Sequence, residues 1–271
     1  MEFRVGVAGC GRMGLPMAQA LHKAGFDMLG FDVRSPDAFA PFEEHMCFDP
    51  ASFVSQRNVL ISVVRDIQQT EALLFDDQAV LASTSELSHL IICSTLSPRY
   101  LQELKQRIPT HISLVDAPMS GAAIAAEEAR LSFMLGGEKS DIDKLMPLFE
   151  AMGKKVHHLG GFGSGMATKV LNNLVAASSV ATTRLALEWA QAQDLDINAL
   201  LSVMNDSSGQ TWFGSNFAGI EFSKAGFEDD NTIGILKKDV ESAIDAMPKG
   251  ASDDLPRALI EAIVKLKTWE Q

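Results

Sequence analysis

A lysine and an asparagine lie four residues apart in an otherwise apolar stretch of this 271-residue chain. Lys169 and Asn173 belong to residues 166–193, a segment rich in Ala, Val and Leu that has no proline. A spacing of four residues places two side chains on one face of a helix. Oxidation of an alcohol by hydride transfer requires a base for the hydroxyl proton, and a lysine can supply it if burial or a neighbouring cation lowers its pKa. The pair therefore predicts proton transfer by Lys169, with the Asn173 amide holding the reacting oxygen or the lysine. The alternative is an ordinary surface lysine at a helix start.

A glycine-rich segment near the N-terminus has the spacing of a dinucleotide-binding turn. It lies between the apolar run at residues 3–8 and a helical stretch at 15–24, the context in which G-x-G-x-x-G predicts such a turn. The first glycine permits the tight turn, the second lets a pyrophosphate approach the backbone, and the third lets helix and strand pack closely. The alternative is a glycine-rich turn that binds nothing. The candidate cofactor ligands in this segment are Gly9, Cys10, Gly11, Arg12, Met13 and Gly14.

An acidic residue follows the second apolar run, residues 28–31. Asp32 lies about 20 residues beyond the glycines, where a carboxylate accepts hydrogen bonds from the ribose of NAD. A carboxylate there also repels the additional phosphate of NADP, so we expect NAD as the cofactor. Arg34 keeps NADP as an alternative, because a guanidinium two residues on can bind that phosphate. The expected ribose-binding segment comprises Asp32, Val33 and Arg34.

The first part of the chain alternates short apolar runs with helical stretches. The runs lie at residues 4–8, 28–31, 59–64, 90–94 and 113–115, with a further strand expected at 132–135. Helices are expected at residues 66–75, 98–106 and 140–152. This alternation predicts βαβ units in a doubly wound, Rossmann-type parallel sheet. Ligands bind at the carboxyl ends of such strands, where Thr95 is placed, although Thr95 can instead cap the helix that follows.

A glycine-rich break at residues 160–165 divides the chain. Residues 166–193 then predict one long helix that is apolar on several faces and therefore buried on several sides. Further helices are expected at 197–205, 235–246 and 255–268, and no strand is expected after the break. We therefore expect a dinucleotide-binding domain at residues 1–161 and an all-helical domain at 162–271 that begins with the long interdomain helix and serves substrate binding and oligomerisation.

Composition narrows the function classes. The net charge of −12 argues against a nucleic-acid surface, although a local cationic pocket for a small anion is compatible with it. No apolar stretch reaches the length of about 20 residues that spans a bilayer, and the early first strand leaves no room for a signal peptide. The three cysteines lack C-x-x-C spacing and the six histidines are scattered, so we expect no metal and a cytoplasmic protein with reduced thiols.

Four segments, taken in order, resemble the β-hydroxyacid dehydrogenase family. The first is the glycine turn with its Met13, and the second, Asp116–Gly121, is similar to the family's D-A-P-V-S-G sequence. The third, G-x-G-x-x-x-K-x-x-N-N from Gly163 to Asn173, is similar to the family's catalytic helix. The fourth is the pair Lys238-Asp239. Together, at these separations, the four segments are specific, and the resemblance covers essentially the whole chain.

The resemblance implies a role for each segment. Ser120 and Gly121 bind the substrate carboxylate in the family, and a hydroxyl with open backbone N–H groups after a strand suits that role. The same two residues can also form an ordinary turn. Lys238, which in the family reaches towards the nicotinamide, can also belong to a solvated helix face. The implied substrate contacts are Ser120, Gly121, Ala122 and Asn172, and the implied cofactor contacts are Val64, Thr95 and Lys238.

Besides Ala129-Arg130-Leu131, where the family has G-T-L, two positions depart from the family pattern, and two aromatic residues stay undecided. The family has a second glycine where this chain has Ala122, and its Leu-Pro pair beside the nicotinamide begins here with Val64. These changes concern the identity of the substrate more than the reaction type. Trp212 and Phe213 are expected either to line the substrate pocket or to pack in the core. Asp116 is expected to be a turn or cap residue outside the site.

The sequence thus predicts an oxidoreductase that transfers a hydride between NAD, or NADP, and the hydroxyl-bearing carbon of a small β-hydroxyacid or its semialdehyde. Lys169 is the expected general acid/base. One alternative is an imine reductase on the same architecture, although those enzymes often carry Asp at the lysine position. Another is a catalytically silent nucleotide-binding module, whose relatives lack the lysine and carry basic extensions. The expected partners are a small carboxylate substrate and other copies of the chain in a homodimer or homotetramer, and neither nucleic acid nor a membrane.

Overall fold

The computed structural model describes residues 2–84 and 86–269. They form two compact units that divide between Lys169 and Val170. The first unit is an α/β structure built on a parallel sheet, and the second consists of helices. The predicted fold class, a Rossmann-type sheet followed by a helical region, is confirmed. The predicted domain bounds, 1–161 and 162–271, stay a prediction, because a compact unit need not fold by itself.

Six parallel strands form the main sheet within the described part of the first unit. They are β1 (Arg4–Ala8), β2 (Asp27–Phe31), β3 (Met46–Cys47), β4 (Val59–Ser62), β5 (His89–Ile92) and β6 (Ser113–Asp116). Their spatial order is β3-β2-β1-β4-β5-β6, the doubly wound order in which two strand progressions start from the centre. Strands β4 and β5 are buried along their whole length, which is why they occur in the sequence as short continuous apolar runs.

The strands end in register along the carboxyl edge of this sheet. Ala8 pairs with Phe31 on one side and with Ser62 on the other. Ser62 pairs with Ile92, and Ile92 pairs with Asp116. Residues that directly follow these five strands are therefore collected at one edge, which is where a doubly wound sheet binds its ligands.

A smaller sheet contains β7 (Met119–Ser120), β8 (Leu131–Leu135) and β9 (Gly153–His158). Strand β8 pairs antiparallel with β7 and parallel with β9. The sequence predicts only β8, as a run at residues 132–135 that two glycines close, and the structure fully buries every second residue of this strand. Strand β9 carries exposed lysines and histidines, as edge strands do when their polar side chains discourage further pairing.

Helices of the first unit cover both faces of the main sheet. They are α1 (Gly14–Lys23), α2 (Pro50–Ser55), α3 (Ile67–Leu74), α4 (Pro98–Arg107), α5 (Ala122–Glu127) and α6 (Lys139–Met152). Successive residues of a strand point to opposite faces, so Val59 and Ile61 pack in one apolar cluster while Leu60 packs in the other. The side chains of Asp49, Asp66 and Ser97 cap α2, α3 and α4.

The second unit, as far as residue 269, contains helices and no strand. Its helices are α7 (Ser164–Ala192), which begins in the first unit, α8 (Ile197–Asn205), α9 (Trp212–Ser215), α10 (Thr232–Asp245) and α11 (Asp254–Ile263). The predicted extent of the last helix, to residue 268, is wrong. The chain leaves the helix after Ile263 because its following residues bond elsewhere: Phe227 N–H donates to Leu266 O, and Trp269 N–H donates to Lys224 O.

Candidate active site

The three glycines of the N-terminal turn differ in what surrounds them. Gly9 has a φ of +88°, in the left-handed region, and a Cβ there would lie 2.9 Å from the backbone of Val63 and Val64. A Cβ on Gly14 would collide with the Gly9 carbonyl oxygen. A Cβ on Gly11, in contrast, would meet no atom within 4 Å. The turn therefore requires glycine for its shape at two positions and has open space beside the third.

The start of α1 suits an anion. Its N-cap residue, Met13, supplies no side-chain acceptor, and the first turn contains no acidic residue. A helix N-terminus without such acceptors presents N–H groups and a partial positive charge. Together with the open space at Gly11, this geometry fits the pyrophosphate of NAD or NADP.

Asp32 and Arg34 form a bidentate ion pair beside the glycine turn. The Arg34 guanidinium donates from Nε and Nη2 to the two Asp32 carboxylate oxygens at 3.0 and 3.1 Å. Nη2 also donates to the Cys10 carbonyl oxygen at 2.7 Å. The hydrogen bonds to the Asp32 carboxylate raise the pKa of Arg34 above its usual value. Asp32, which favours NAD, and Arg34, which favours NADP, are thus bonded to each other. Val33, which lies between them in the sequence, is exposed.

Two further predicted cofactor contacts follow strands of the main sheet. Val64 lies shortly after β4 and Thr95 shortly after β5, and both are partly buried. The alternative role of Thr95 as the cap of α4 is wrong, because Ser97 occupies that position. The Ser97 hydroxyl accepts a hydrogen bond from the Arg99 N–H at 3.2 Å.

The predicted carboxylate-binding segment has an unusual backbone. Ser120 ends β7, and Gly121 follows with a φ of +137°. Ala122 has a φ of +55°, and a side chain in this region costs about 1–2 kcal/mol. This conformation gives a physical reason for the glycine that the family has in place of Ala122.

The carboxylate of Asp116 joins the end of β6 to the start of α7. Its two oxygens accept hydrogen bonds from the N–H groups of Gly163, at 2.6 Å, and Met166, at 2.5 Å. The Met166 sulfur accepts from the Leu96 N–H at 3.3 Å. The first turn of α7 therefore lies at the carboxyl ends of β5 and β6. Lys169 follows within the next turn and is only 7% exposed.

Burial governs the titration of the acidic groups in this region. It raises the pKa of Asp116 to about 6, although the N–H groups of Gly163 and Met166 act in the opposite direction. Burial also raises the pKa of the Cys10 thiol to about 12, and it raises that of Cys93 still further. Both thiols are therefore neutral at physiological pH, and neither is an activated nucleophile.

A second polar cluster lies in the helical unit. Asn173 donates from Nδ2 to the Asp239 carboxylate at 2.6 Å, and both side chains are buried. Asn172 donates to Asn173 Oδ1 at 3.1 Å, and the Lys238 ammonium lies 3.3 Å from the other Asp239 oxygen. Asp239 belongs to the fourth motif of the family resemblance, which gives it no role of its own. The signal available in the sequence was the helical spacing that places Asp239 on the same side of α10 as Leu236 and Val240, which the structure buries.

The two undecided aromatic residues have different environments. Phe213 is fully buried and packs against Phe217 and Phe222 in the core of the helical unit. Trp212 is 55% exposed. The core alternative therefore holds for Phe213, and a pocket role for Trp212 stays a prediction.

Within residues 2–84 and 86–269, no three His, Cys, Asp or Glu side chains are grouped as metal ligands.

In the same part of the chain, none of the helices has the length and apolar character needed to cross a membrane.

Comparison with known proteins identifies the family. Residues 4–161 match the family model of the NAD binding domain of 6-phosphogluconate dehydrogenase. Residues 163–263 match the model described as NAD-binding of NADP-dependent 3-hydroxyisobutyrate dehydrogenase. The NAD-dependent L-serine dehydrogenase of Pseudomonas aeruginosa is 32% identical over 212 residues, which are 77% of this chain and 71% of that protein. This chain belongs to the β-hydroxyacid dehydrogenase family.

Two other relatives of this β-hydroxyacid dehydrogenase support the assignment. The mitochondrial 3-hydroxyisobutyrate dehydrogenase of Drosophila melanogaster is 30% identical over 77% of this chain, and the match spans 64% of that protein. The Mycobacterium tuberculosis 3-hydroxyisobutyrate dehydrogenase structure with L-serine has a TM-score of 0.82 and 26% identity, and the match covers 98% of this chain and 97% of that one. The predicted family and activity are confirmed: this dehydrogenase is an NAD(P)-dependent oxidoreductase that acts on the CH–OH group of a hydroxyacid.

The structure of this β-hydroxyacid dehydrogenase groups the predicted site residues into two clusters. In the first unit, the glycine turn, Asp32, Val64, Thr95 and the start of α7 share the carboxyl edge of the main sheet. In the second unit, Asn172, Asn173 and Lys238 gather around Asp239. The individual roles of all these residues are proposals.

Proposed function

We propose that this dehydrogenase oxidises a β-hydroxyacid of roughly three to five carbons, or reduces the matching semialdehyde, with Lys169 as general acid/base. The observation that carries the proposal is the burial of Lys169 within one turn of the point where Asp116 fixes α7 to the sheet edge. NAD bound at that edge supplies the hydride acceptor. In the oxidation direction Lys169 Nζ takes the hydroxyl proton, and in the reduction direction it returns the proton to the nascent alkoxide.

Asn173 orients the reacting groups in this proposal. It lies one helical turn beyond Lys169 on α7, so the two side chains share a face. Its amide is held by two hydrogen bonds, to Asp239 and from Asn172, which fix the orientation of its oxygen and nitrogen. An amide held in this way needs no reorganisation when charge develops on the substrate oxygen.

The substrate class follows from the anion-binding groups. We assign the substrate carboxylate to Ser120, Gly121 and Ala122, which offer a hydroxyl and backbone N–H groups. The segment from 116 to 126 contains no arginine that could grip a phosphate or sulfonate with a bidentate fork.

A substrate panel tests this proposal. Reduction of NAD and of NADP is followed with L-serine, 3-hydroxyisobutyrate and L-threonate, and with the amides of the same compounds as matched controls that lack the carboxylate. We expect turnover of at least one acid and a kcat/KM at least about tenfold lower for its amide, which corresponds to about 1.4 kcal/mol of binding. Activity with phosphorylated sugars or sulfonates alone would show that the carboxylate assignment is wrong.

We also propose NAD as the preferred cofactor, with Asp32 as the determinant. Asp32→Ser removes the carboxylate that repels the 2′-phosphate and frees Arg34 to bind that phosphate, so the ratio of kcat/KM for NADP over NAD should rise at least about tenfold. Arg34→Ala should change the ratio in the opposite direction. Steady-state kinetics with both cofactors measure the ratio, and a wild-type enzyme at least about tenfold more efficient with NADP would refute the preference.

For the oligomeric state we propose a homodimer or homotetramer formed through α7. Leu171, Val175, Leu185 and Trp189 are 44–70% exposed and lie along one face of this helix. Exposed apolar stripes of this kind mark interfaces between chains. Trp189→Arg should lower the molar mass measured by light scattering, whereas Gln191→Ala, an exposed change off the stripe, should not. A monomeric wild-type protein would contradict the proposal.

A cytoplasmic location is also proposed. It rests on the three cysteines, all of which are free, as expected for thiols kept in a reducing compartment.

A further inference from the structure

The carboxylate of Asp116 occupies a cradle of glycine backbone. Gly163 and Gly165 come from the start of α7, and Gly136 follows β8. A Cβ on Gly136 would collide with Asp116 Oδ1, and a Cβ on Gly165 would lie 2.9 Å from Oδ2. Gly163 has a φ of +97°, which a residue with a side chain rarely adopts. Glycine at these positions lets two backbone segments approach one carboxylate.

The backbone of Asp116 is fixed as firmly as its side chain. Its N–H donates to the Gly136 carbonyl at 2.9 Å, and the Gly136 N–H donates back to the Asp116 carbonyl at 2.8 Å. The carboxylate then accepts from Gly163 and Met166, residues 47 and 50 positions away. The whole residue is 0% exposed. Asp116 therefore connects β6, the end of β8 and the first turn of α7.

We propose that Asp116 is the positioning residue for Lys169. Its carboxylate fixes the first turn of α7, and thereby the position of Lys169 along the helix axis and its rotation about that axis at the edge of the sheet. The inference rests on the proposed function, in which Lys169 transfers the proton. Lys169 lies within one turn of Met166, so a movement of the capped turn carries the lysine with it. A displacement of about 1 Å at a catalytic group costs about 10²-fold in rate.

The charge of the carboxyl matters to this role. An ionised carboxylate accepts hydrogen bonds with both oxygens, whereas a protonated carboxyl turns one oxygen into a donor that faces an N–H group. Since burial raises the pKa of Asp116 to about 6, the anchoring weakens as the pH falls through that value. Three titratable groups belong to the elements around Asp116. They are the Cys93 thiol, which directly follows β5, Lys169 on α7, and His158 of β9, whose ring contacts the Gly137 and Gly160 carbonyls.

The test compares Asp116→Asn with Asp49→Asn. The first substitution would keep the shape of the side chain but place an NH2 group against one of the two N–H donors. Asp49, in contrast, caps α2 by accepting from the single Ser52 N–H, a bond that Asn also makes. With the best hydroxyacid of the panel, we expect kcat to fall about 10²-fold in Asp116→Asn, with cofactor Kd changed by less than about twofold. Asp49→Asn should match the wild type in both quantities.

The pH profile separates positioning from a merely structural role. Protonation of Asp116 should add a fall in log kcat with a slope of about one below pH 6 in the wild type, and the profile of Asp116→Asn should lack this added fall. His158→Gln should keep the wild-type slope. Wild-type kcat and an unchanged slope in Asp116→Asn would overturn the inference.

A measurement on the unmodified enzyme covers the case in which Asp116→Asn does not fold. Hydrogen exchange of the peptide over residues 163–170, corrected for intrinsic rates, should show lower protection at about pH 5 than at about pH 7. Equal protection at both pH values would contradict the inference. Near wild-type turnover of Lys169→Met would instead contradict the proposed function, and the exchange of residues 163–170 does not depend on that result.

Discussion

Lys169→Met is expected to lower kcat by about 10²–10⁴-fold while cofactor affinity changes little. Methionine keeps the approximate volume of the lysine stem and removes the ammonium, and its helix propensity is similar, so α7 should remain folded. Because Lys169 is buried in the second turn of α7, bulk water cannot readily take over the proton transfer when the ammonium is removed. The residual rate should also lose the pH dependence that the lysine confers.

The control for this change is Asn173→Ala. Asn173 orients groups and transfers no proton, so its loss of kcat should be smaller than that of Lys169→Met. Circular dichroism and a cofactor titration establish that each variant folds and binds. A Lys169→Met enzyme that turns over at nearly the wild-type rate would refute the assigned mechanism and would favour the imine-reductase or silent-module alternatives.

Arg184→Met is expected to destabilise the helical unit by about 3–5 kcal/mol. Arg184 is fully buried, and its guanidinium donates to three backbone carbonyls, those of Ser223, Ala225 and Lys267, at 2.6–2.9 Å. Methionine would fill much of the volume but leave the three carbonyls without donors, and each unsatisfied buried group costs about 1–3 kcal/mol. The burial that creates this dependence also lowers the pKa of Arg184.

Thermal unfolding measures the effect. A loss of this size should lower the melting temperature of a chain this long by about 10 °C. Arg257→Met is the matched control, because its side chain is 66% exposed and pairs with Asp253 on the helix surface, a contact worth less than about 1 kcal/mol. Equal melting temperatures for the wild type and Arg184→Met would show that the three carbonyls do not depend on the arginine.

The parallel sheet could be predicted from the sequence because its strands are short, apolar and punctuated by turns. The fully buried β4 and β5 are the clearest cases, and the glycine turn after β1 follows from steric requirements that hold within a few residues. The long helix α7 was predicted to within two residues at each end, since periodicity over many residues outweighs local exceptions.

Elements that depend on distant partners could not be predicted. Strand β9 reads as a polar loop, and only its pairing with β8 makes it a strand. The same holds for the polar contacts of the site: Asp116 accepts a hydrogen bond from Gly163, 47 residues later and next to the start of α7, and Asp239 bonds to an asparagine 66 residues earlier. A sequence pattern identifies such carboxylates as polar residues in apolar surroundings, but their partners are set by the tertiary fold.

The central claim, that a hydride passes from the hydroxyl-bearing carbon of a small hydroxyacid to the nicotinamide, can be tested by isotope transfer. L-Serine and 3-hydroxyisobutyrate deuterated at that carbon are incubated with the wild-type enzyme and NAD, and the reduced cofactor is analysed by mass spectrometry. The account predicts that one deuterium per molecule appears in the reduced nicotinamide ring, at a rate that falls with Lys169→Met as kcat does. Reduced cofactor without deuterium, or no reduction with any acid of the panel under either cofactor, would contradict it.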